Sequence, residues 1–207
     1  MTLSAIGMMA WLAAFVPATA APADSPASDT AASLQVSTEA EKPAFLLDNL
    51  HGEPSALQAF KGNVVLVHFF ATWCEPCVRE LTSLQKLSAT TRGKPLAIVA
   101  IDVAEVDLRV RAFFEKIPVD FAVLLDRDRA VSKAWGVSAL PTTFVLDANL
   151  APKLFVEGDL DWSHSDILTT LEALYPTETS NDSSHPVRLP IRITTQSITH
   201  PLKETPK

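Results

Sequence analysis

Cys74 and Cys77 are the only cysteines in this 207-residue chain, and they stand two residues apart in Cys74-Glu75-Pro76-Cys77. Thiols at that spacing can close a disulfide, hold half of a zinc site, or staple a loop. Structural zinc takes about four ligands. No second cysteine pair exists, and His51, His68, His164, His185 and His200 show no ligand spacing, which sets a metal site aside. A purely stapling disulfide would consume both thiols and give no reason for Trp73 and Pro76 beside them. The remaining chemistry is thiol–disulfide exchange, in which one thiolate attacks a disulfide sulfur and a second thiol resolves the mixed disulfide.

The elements that must position the pair are legible on either side of it. Val64-Val65-Leu66-Val67-His68-Phe69-Phe70 is too apolar for a surface strand and too short for a buried helix, which predicts a central strand. After the pair, Val78, Leu81, Leu84 and Leu87 recur at helical spacing. Pro76 fits the first turn of that helix, where its missing N–H has no partner to lose. Cys74 then falls at a helix N-terminus, where free N–H groups and the positive dipole end favour thiolate over thiol. Cys74 is expected to be exposed and of low pKa, with Cys77 one turn further on and facing inward. Glu75 should disfavour the nearby thiolate. A less stabilised thiolate makes a better reductant, which argues for reduction over disulfide donation.

Phe70-Ala71-Thr72-Trp73-Cys74-Glu75-Pro76-Cys77-Val78-Arg79-Glu80, together with the later Leu140-Pro141-Thr142, resembles the thioredoxin superfamily. Within it the chain is similar to the exported TlpA/ResA-type thiol-disulfide oxidoreductases. Their pattern is a strand, Ala-Thr-Trp-Cys-x-Pro-Cys, and a Glu three residues after the second Cys. The likeness runs from about Ala44 to about Leu174. It implies an α/β, thioredoxin-like fold: a central mixed β-sheet flanked by helices, with an extra N-terminal strand and a βα insertion.

The same likeness assigns roles. Cys74 is the nucleophile and Cys77 the resolving thiol. Glu80 matches the acid kept near the pair and could take or supply the Cys77 proton; a solvated helix Glu is the plainer reading. Leu140-Pro141-Thr142 resembles the cis-proline loop, in which Pro141 faces the cysteines and the Leu140 backbone pairs with an extended substrate segment. An ordinary trans turn before a strand reads equally from the sequence. Trp73, Glu75, Pro76 and Leu140 are the expected substrate contacts, although Trp73 could simply pack. His68 departs from the pattern, standing where thioredoxins place a buried Asp and many exported relatives an Asn. It would point with Leu66 and Phe70, as a proton relay titrating near neutrality or as a neutral core histidine. No cofactor beyond the redox-active disulfide is implied.

Taken in order, the chain predicts a strand at Ala44–Leu47 ended by Asp48-Asn49 and His51-Gly52 turn signals, then a lead-in over Ser55–Gly62. Further strands are expected at Leu96–Ile101, Phe121–Leu125, Thr142–Leu146 and Pro152–Glu157. The last two form a hairpin through Asp147–Ala151, with Asn149 at the position where the family often has Gly. Helices are expected at Glu75–Thr90, Asp107–Lys116, Arg129–Trp135 and Ser163–Leu174. The strand–helix–strand unit around the pair demands parallel pairing.

Outside this domain, taken as residues 44–175, residues 1–20 carry no charged side chain and hold an apolar run over Ala5–Val16. Its length and the following Ala18-Thr19-Ala20 read as a signal peptide, with an uncleaved membrane anchor as the rival. Residues 21–43 have the composition of a flexible spacer, and 176–207 that of a disordered tail. Within that tail, 187–193 alternates like an edge strand.

Export to the periplasm or the extracytoplasmic membrane face is therefore expected. A net charge of −7 argues against nucleic acid as a partner. The reading is an exported reductase of protein disulfides, re-reduced by an upstream thiol donor such as a membrane electron carrier. By resemblance its substrates are apocytochrome c cysteines or copper-site cysteines. Two rivals remain. A copper chaperone would use both thiolates and His68. A peroxiredoxin-like peroxidase would need Pro-x-x-x-Thr-x-x-Cys, and with Cys74 as its Cys those Pro and Thr positions hold Val67 and Ala71.

Overall fold

The computed structural model describes residues 32–177; the expected signal peptide or anchor and nearly all of the tail lie outside them. At its centre is β4 (Val64–Phe70), buried along its whole length. It is one of eight strands, here numbered in chain order: β1 (Gln35–Val36), β2 (Leu46–Asn49), β3 (Pro54–Ala56), β5 (Leu96–Val103), β6 (Ala122–Asp126), β7 (Thr142–Leu146) and β8 (Pro152–Glu157) complete the set. The sheet order is β1-β8-β7-β4-β5-β6-β2-β3. β4, β5 and β6 run parallel, while β7 pairs antiparallel with β4. The mixed sheet follows from its connections. Helix α1 (Glu75–Thr90) and helix α2 (Asp107–Lys116) cross between the parallel strands, whereas β7 and β8 join through a short hairpin.

Alternation along β4 divides the core in two. Leu66 and Phe70 face a layer containing Leu81, Leu84 and Leu87 of α1, Val110 and Phe114 of α2, and Leu171 of α4 (Ser165–Glu172). Val65, Val67 and Phe69 face the opposite layer, with Phe45, Leu57 and Trp135. Trp135 follows the short helix α3 (Ala130–Ala134) and is wedged between Phe45, Phe69 and Phe144. The βα insertion is α2 with β6, and the N-terminal strand is β2, which pairs antiparallel with β6.

Three local expectations are corrected. Asp48 and Asn49 do not end the first strand but belong to it. The turn follows, because Asn49 Oδ1 accepts the backbone N–H groups of His51 and Glu53, and β3 then returns against β2. In the β7–β8 hairpin the left-handed residue is Leu150, not Asn149. Asp147 Oδ1 accepts the N–H groups of both Asn149 and Ala151, which fixes the turn around Leu150 despite its side chain. Within the stretch read as a spacer, residues 35–36 pair with β8. Nearby, Lys42 Nζ donates to the Trp135 carbonyl at 2.9 Å, and Trp135 Nε1 donates to that of Pro43.

Candidate active site

Where β4 ends, the chain turns through Ala71–Trp73 into α1, and Cys74 is the N-cap of that helix with Pro76 in its first turn. Cys74 and Cys77 are joined in a disulfide, with Cα atoms 5.2 Å apart. The backbone N–H of Cys77 points at Cys74 Sγ at 3.4 Å, the free helix-terminal donor that favours a thiolate there. Cys77 is fully buried, as expected, but Cys74 is only 6% exposed. That corrects the expectation of an open thiol: Trp73, 67% exposed, and Leu140 shoulder it. Leu140–Pro141 is a cis peptide bond, and the Leu140 carbonyl lies 3.8 Å from Cys74 Sγ. A groove of about 390 Å³ opens on this side, lined by Trp73, Cys74, Val103, Arg129, Val137 and Leu140 among others.

Behind the disulfide the surroundings are closed. Glu80 lies one turn beyond Cys77 and is buried, so the solvated alternative is corrected. Its Oε1 accepts hydrogen bonds from Trp162 Nε1 and from Thr143 Oγ1, while Oε2 has no partner. Burial, helped by the charge of Asp159, pushes its carboxyl up to about 8 against the bonds from Trp162 and Thr143. His68 Nδ1 lies 2.9 Å from Thr143 Oγ1 and 3.7 Å from Glu80 Oε1. Its ring stacks on Phe70, and Nε2 is unpartnered. Burial lowers the imidazole to about 3, so it is neutral near pH 7 and does not titrate there as a relay would.

Glu75 is exposed and bound to Arg79, which also reaches Asp159. That nearby cation offsets the thiolate repulsion expected of Glu75.

The AhpC/TSA family model matches residues 38–151. The chain belongs to that family. Among its relatives, thiol-disulfide oxidoreductase ResA of Geobacillus thermodenitrificans is 34% identical over 134 residues, covering 65% of this chain and 76% of that protein. ResA of Bacillus subtilis is 33% identical over 145 residues, covering 70% and 80%. Among solved structures, a thioredoxin-family thiol:disulfide interchange protein from Chlorobium tepidum superposes with a TM-score of 0.57. At 23% identity, covering 65% of this chain and 98% of that one, it shows the fold.

This AhpC/TSA member is a thiol-disulfide oxidoreductase with a thioredoxin-like fold. Val67 and Ala71, at the positions a peroxidatic motif would fill with Pro and Thr, are fully buried. Among the described residues, no three His, Cys, Asp or Glu side chains are placed to hold a metal ion. Thr143 and Trp162 were not anticipated. The register could have found Thr143, since β7 runs antiparallel to β4 and sets it opposite His68. Trp162 sits in the loop before α4 and carries no local signal.

Proposed function

We propose that this protein reduces disulfides in other proteins, with Cys74 as attacking thiol, Cys77 as resolving thiol and Glu80 as the group that handles the Cys77 proton. The observation carrying this reading is the asymmetry of the pair: Cys74 borders an open groove, while Cys77 is sealed beside a buried acid. Cys74 thiolate attacks one sulfur of a substrate disulfide, forming a mixed disulfide and releasing the other sulfur as thiolate. Cys77 then passes its proton to the Glu80 carboxylate as its sulfur attacks Cys74 Sγ. The substrate leaves reduced, and the protein is left with its disulfide and a protonated Glu80. The raised carboxyl of Glu80 matches that end state.

His68 acts as a neutral partner that fixes Thr143 and through it Glu80. Trp73 and the Leu140 backbone contact the substrate, the latter as an extended pairing edge beside Pro141. Export rests on the composition of residues 1–20; among the described residues no helix is long and apolar enough to cross a membrane. The resemblance to the exported TlpA/ResA-type proteins favours protein thiols outside the cytoplasm as substrates, with apocytochrome c or copper-site cysteines as candidates and a membrane electron carrier as donor. Equilibration with glutathione tests the direction. A potential nearer thioredoxin's roughly −270 mV than the roughly −120 mV of a strong oxidant is expected; a value above about −150 mV would overturn the reductase reading.

A further inference from the structure

A further buried acid stands on β5, in register with Phe70, the last residue of the strand that leads into the active-site turn. Asp102, near the end of β5, is 1% exposed, and its Oδ2 has no hydrogen-bond partner. A buried, unpaired carboxyl oxygen needs an explanation. Three residues on, Glu105 is also buried, and its two oxygens accept the backbone N–H and the hydroxyl of Thr72. Thr72 lies in the turn that carries Cys74. Ala104, between the acids, has φ +64°, a left-handed conformation that residues with a Cβ seldom adopt. Its N–H donates to the Asp126 carbonyl at 3.0 Å, so the backbone is held where it turns Glu105 towards Thr72. An observed outlier of this kind beside a reactive group is grounds for a functional hypothesis.

We infer that Asp102 is a positioning residue for Cys74: while protonated it donates to Glu105 and holds that carboxylate on Thr72, and when it ionises the hold on the active-site turn loosens. The inference rests on Cys74 being the attacking thiol. The groups around Asp102 support it. From the loop it faces Glu105, and from the first turn of α2 it feels Asp107; both push its carboxyl up, after burial, to about 8. Its register neighbours on β4 and β6 are the apolar Phe70 and Leu125. Asp107 is itself engaged by Arg127, and Arg109 reaches Glu105 at 3.7 Å. Among the described residues no cation is bonded to Asp102. Ionisation would then set two carboxylates against each other behind the turn that presents the thiolate.

Glu80 titrates in the same range, so the test is made in a Glu80→Gln background. The alkylation rate of Cys74 in the reduced protein is followed against pH, with and without Asp102→Asn. The Glu80→Gln protein should show a second step near the Asp102 ionisation, beyond that of the thiol itself, and the double variant a single step. Infrared titration of Glu80→Gln alone should show a protonated buried carboxyl disappearing over the same range, and this needs no change at Asp102. Superimposable alkylation profiles, or no such carboxyl band, would overturn the proposal. Either result leaves the oxidoreductase reading intact. That reading fails separately, if the wild-type protein reduces no disulfide at any pH.

Discussion

The two sulfurs of one disulfide look into opposite media. In front of Cys74 lie a groove, an exposed Trp73 and a cation, Arg129, with no ion pair among the described residues. Behind Cys77 lie Glu80, His68, Thr143 and Trp162, all buried, with one unpartnered atom on each of the acid and the imidazole. The open side can meet a protein chain and the closed side can hold a proton away from water. A dithiol that must attack outward and resolve inward needs both.

The contrast is sharpest between two glutamates of α1. Glu80→Gln keeps the acceptor for Trp162 and removes the titrating proton. It should slow resolution of the mixed disulfide by about a hundredfold or more, the low end of what a positioned acid or base contributes, and flatten its pH profile. Glu75→Gln, exposed and paired with Arg79, should change the same rate by no more than about twofold. Stopped-flow reduction of a model disulfide reads both. An unchanged pH–rate profile for Glu80→Gln would reduce Glu80 to a packing residue.

A smaller effect should appear in stability. Glu80 and Asp102 have carboxyls raised from 4.5 and 3.8 to about 8, so the folded state holds more protons than the unfolded chain in between. Their contribution is complete below the unfolded values and is lost as pH rises towards about 8, by at most about 1.4 kcal/mol per pH unit each. His68, lowered from 6.5 to about 3, works the other way: its contribution is present above 6.5 and lost as pH falls. Urea midpoints should therefore drop between 6.5 and about 8, where only the acids act. Glu80→Gln should remove about half of that slope, and His68→Asn should steepen the decline below 6.5. A flat midpoint between 6.5 and about 8 would mean that neither acid is held protonated.

Much of this architecture was legible because it rests on short-range chemistry. β4, α1 and the placement of Cys74 follow from a seven-residue run that is apolar except for His68, a helical repeat and Pro76. Likewise Asp107–Lys116, Thr142–Leu146 and Pro152–Glu157 fall where periodicity puts them. What escaped depends on tertiary contact. Asn49 looks like a strand terminator, yet its side chain caps the following turn, so the strand continues through it. Glu80 looks like a surface residue on its helix. Its burial comes from Trp162, 82 positions away. Nor does the sequence distinguish Asp102 from an acid at the exposed end of a strand, because its burial depends on β5 lying between β4 and β6, with Phe70 and Leu125 on either side of it.

The central claim is that Cys74 attacks and Cys77 releases, and substitution of each cysteine by serine tests it most directly. In Cys77→Ser the helix N-terminus still favours the Cys74 thiolate, while a serine hydroxyl cannot resolve the product. Mixed disulfides with substrate proteins should accumulate and be visible on non-reducing gels, and Cys74→Ser, whose remaining thiol is fully buried, should capture little. Equal capture by both variants, or capture by Cys74→Ser alone, would contradict the assignment.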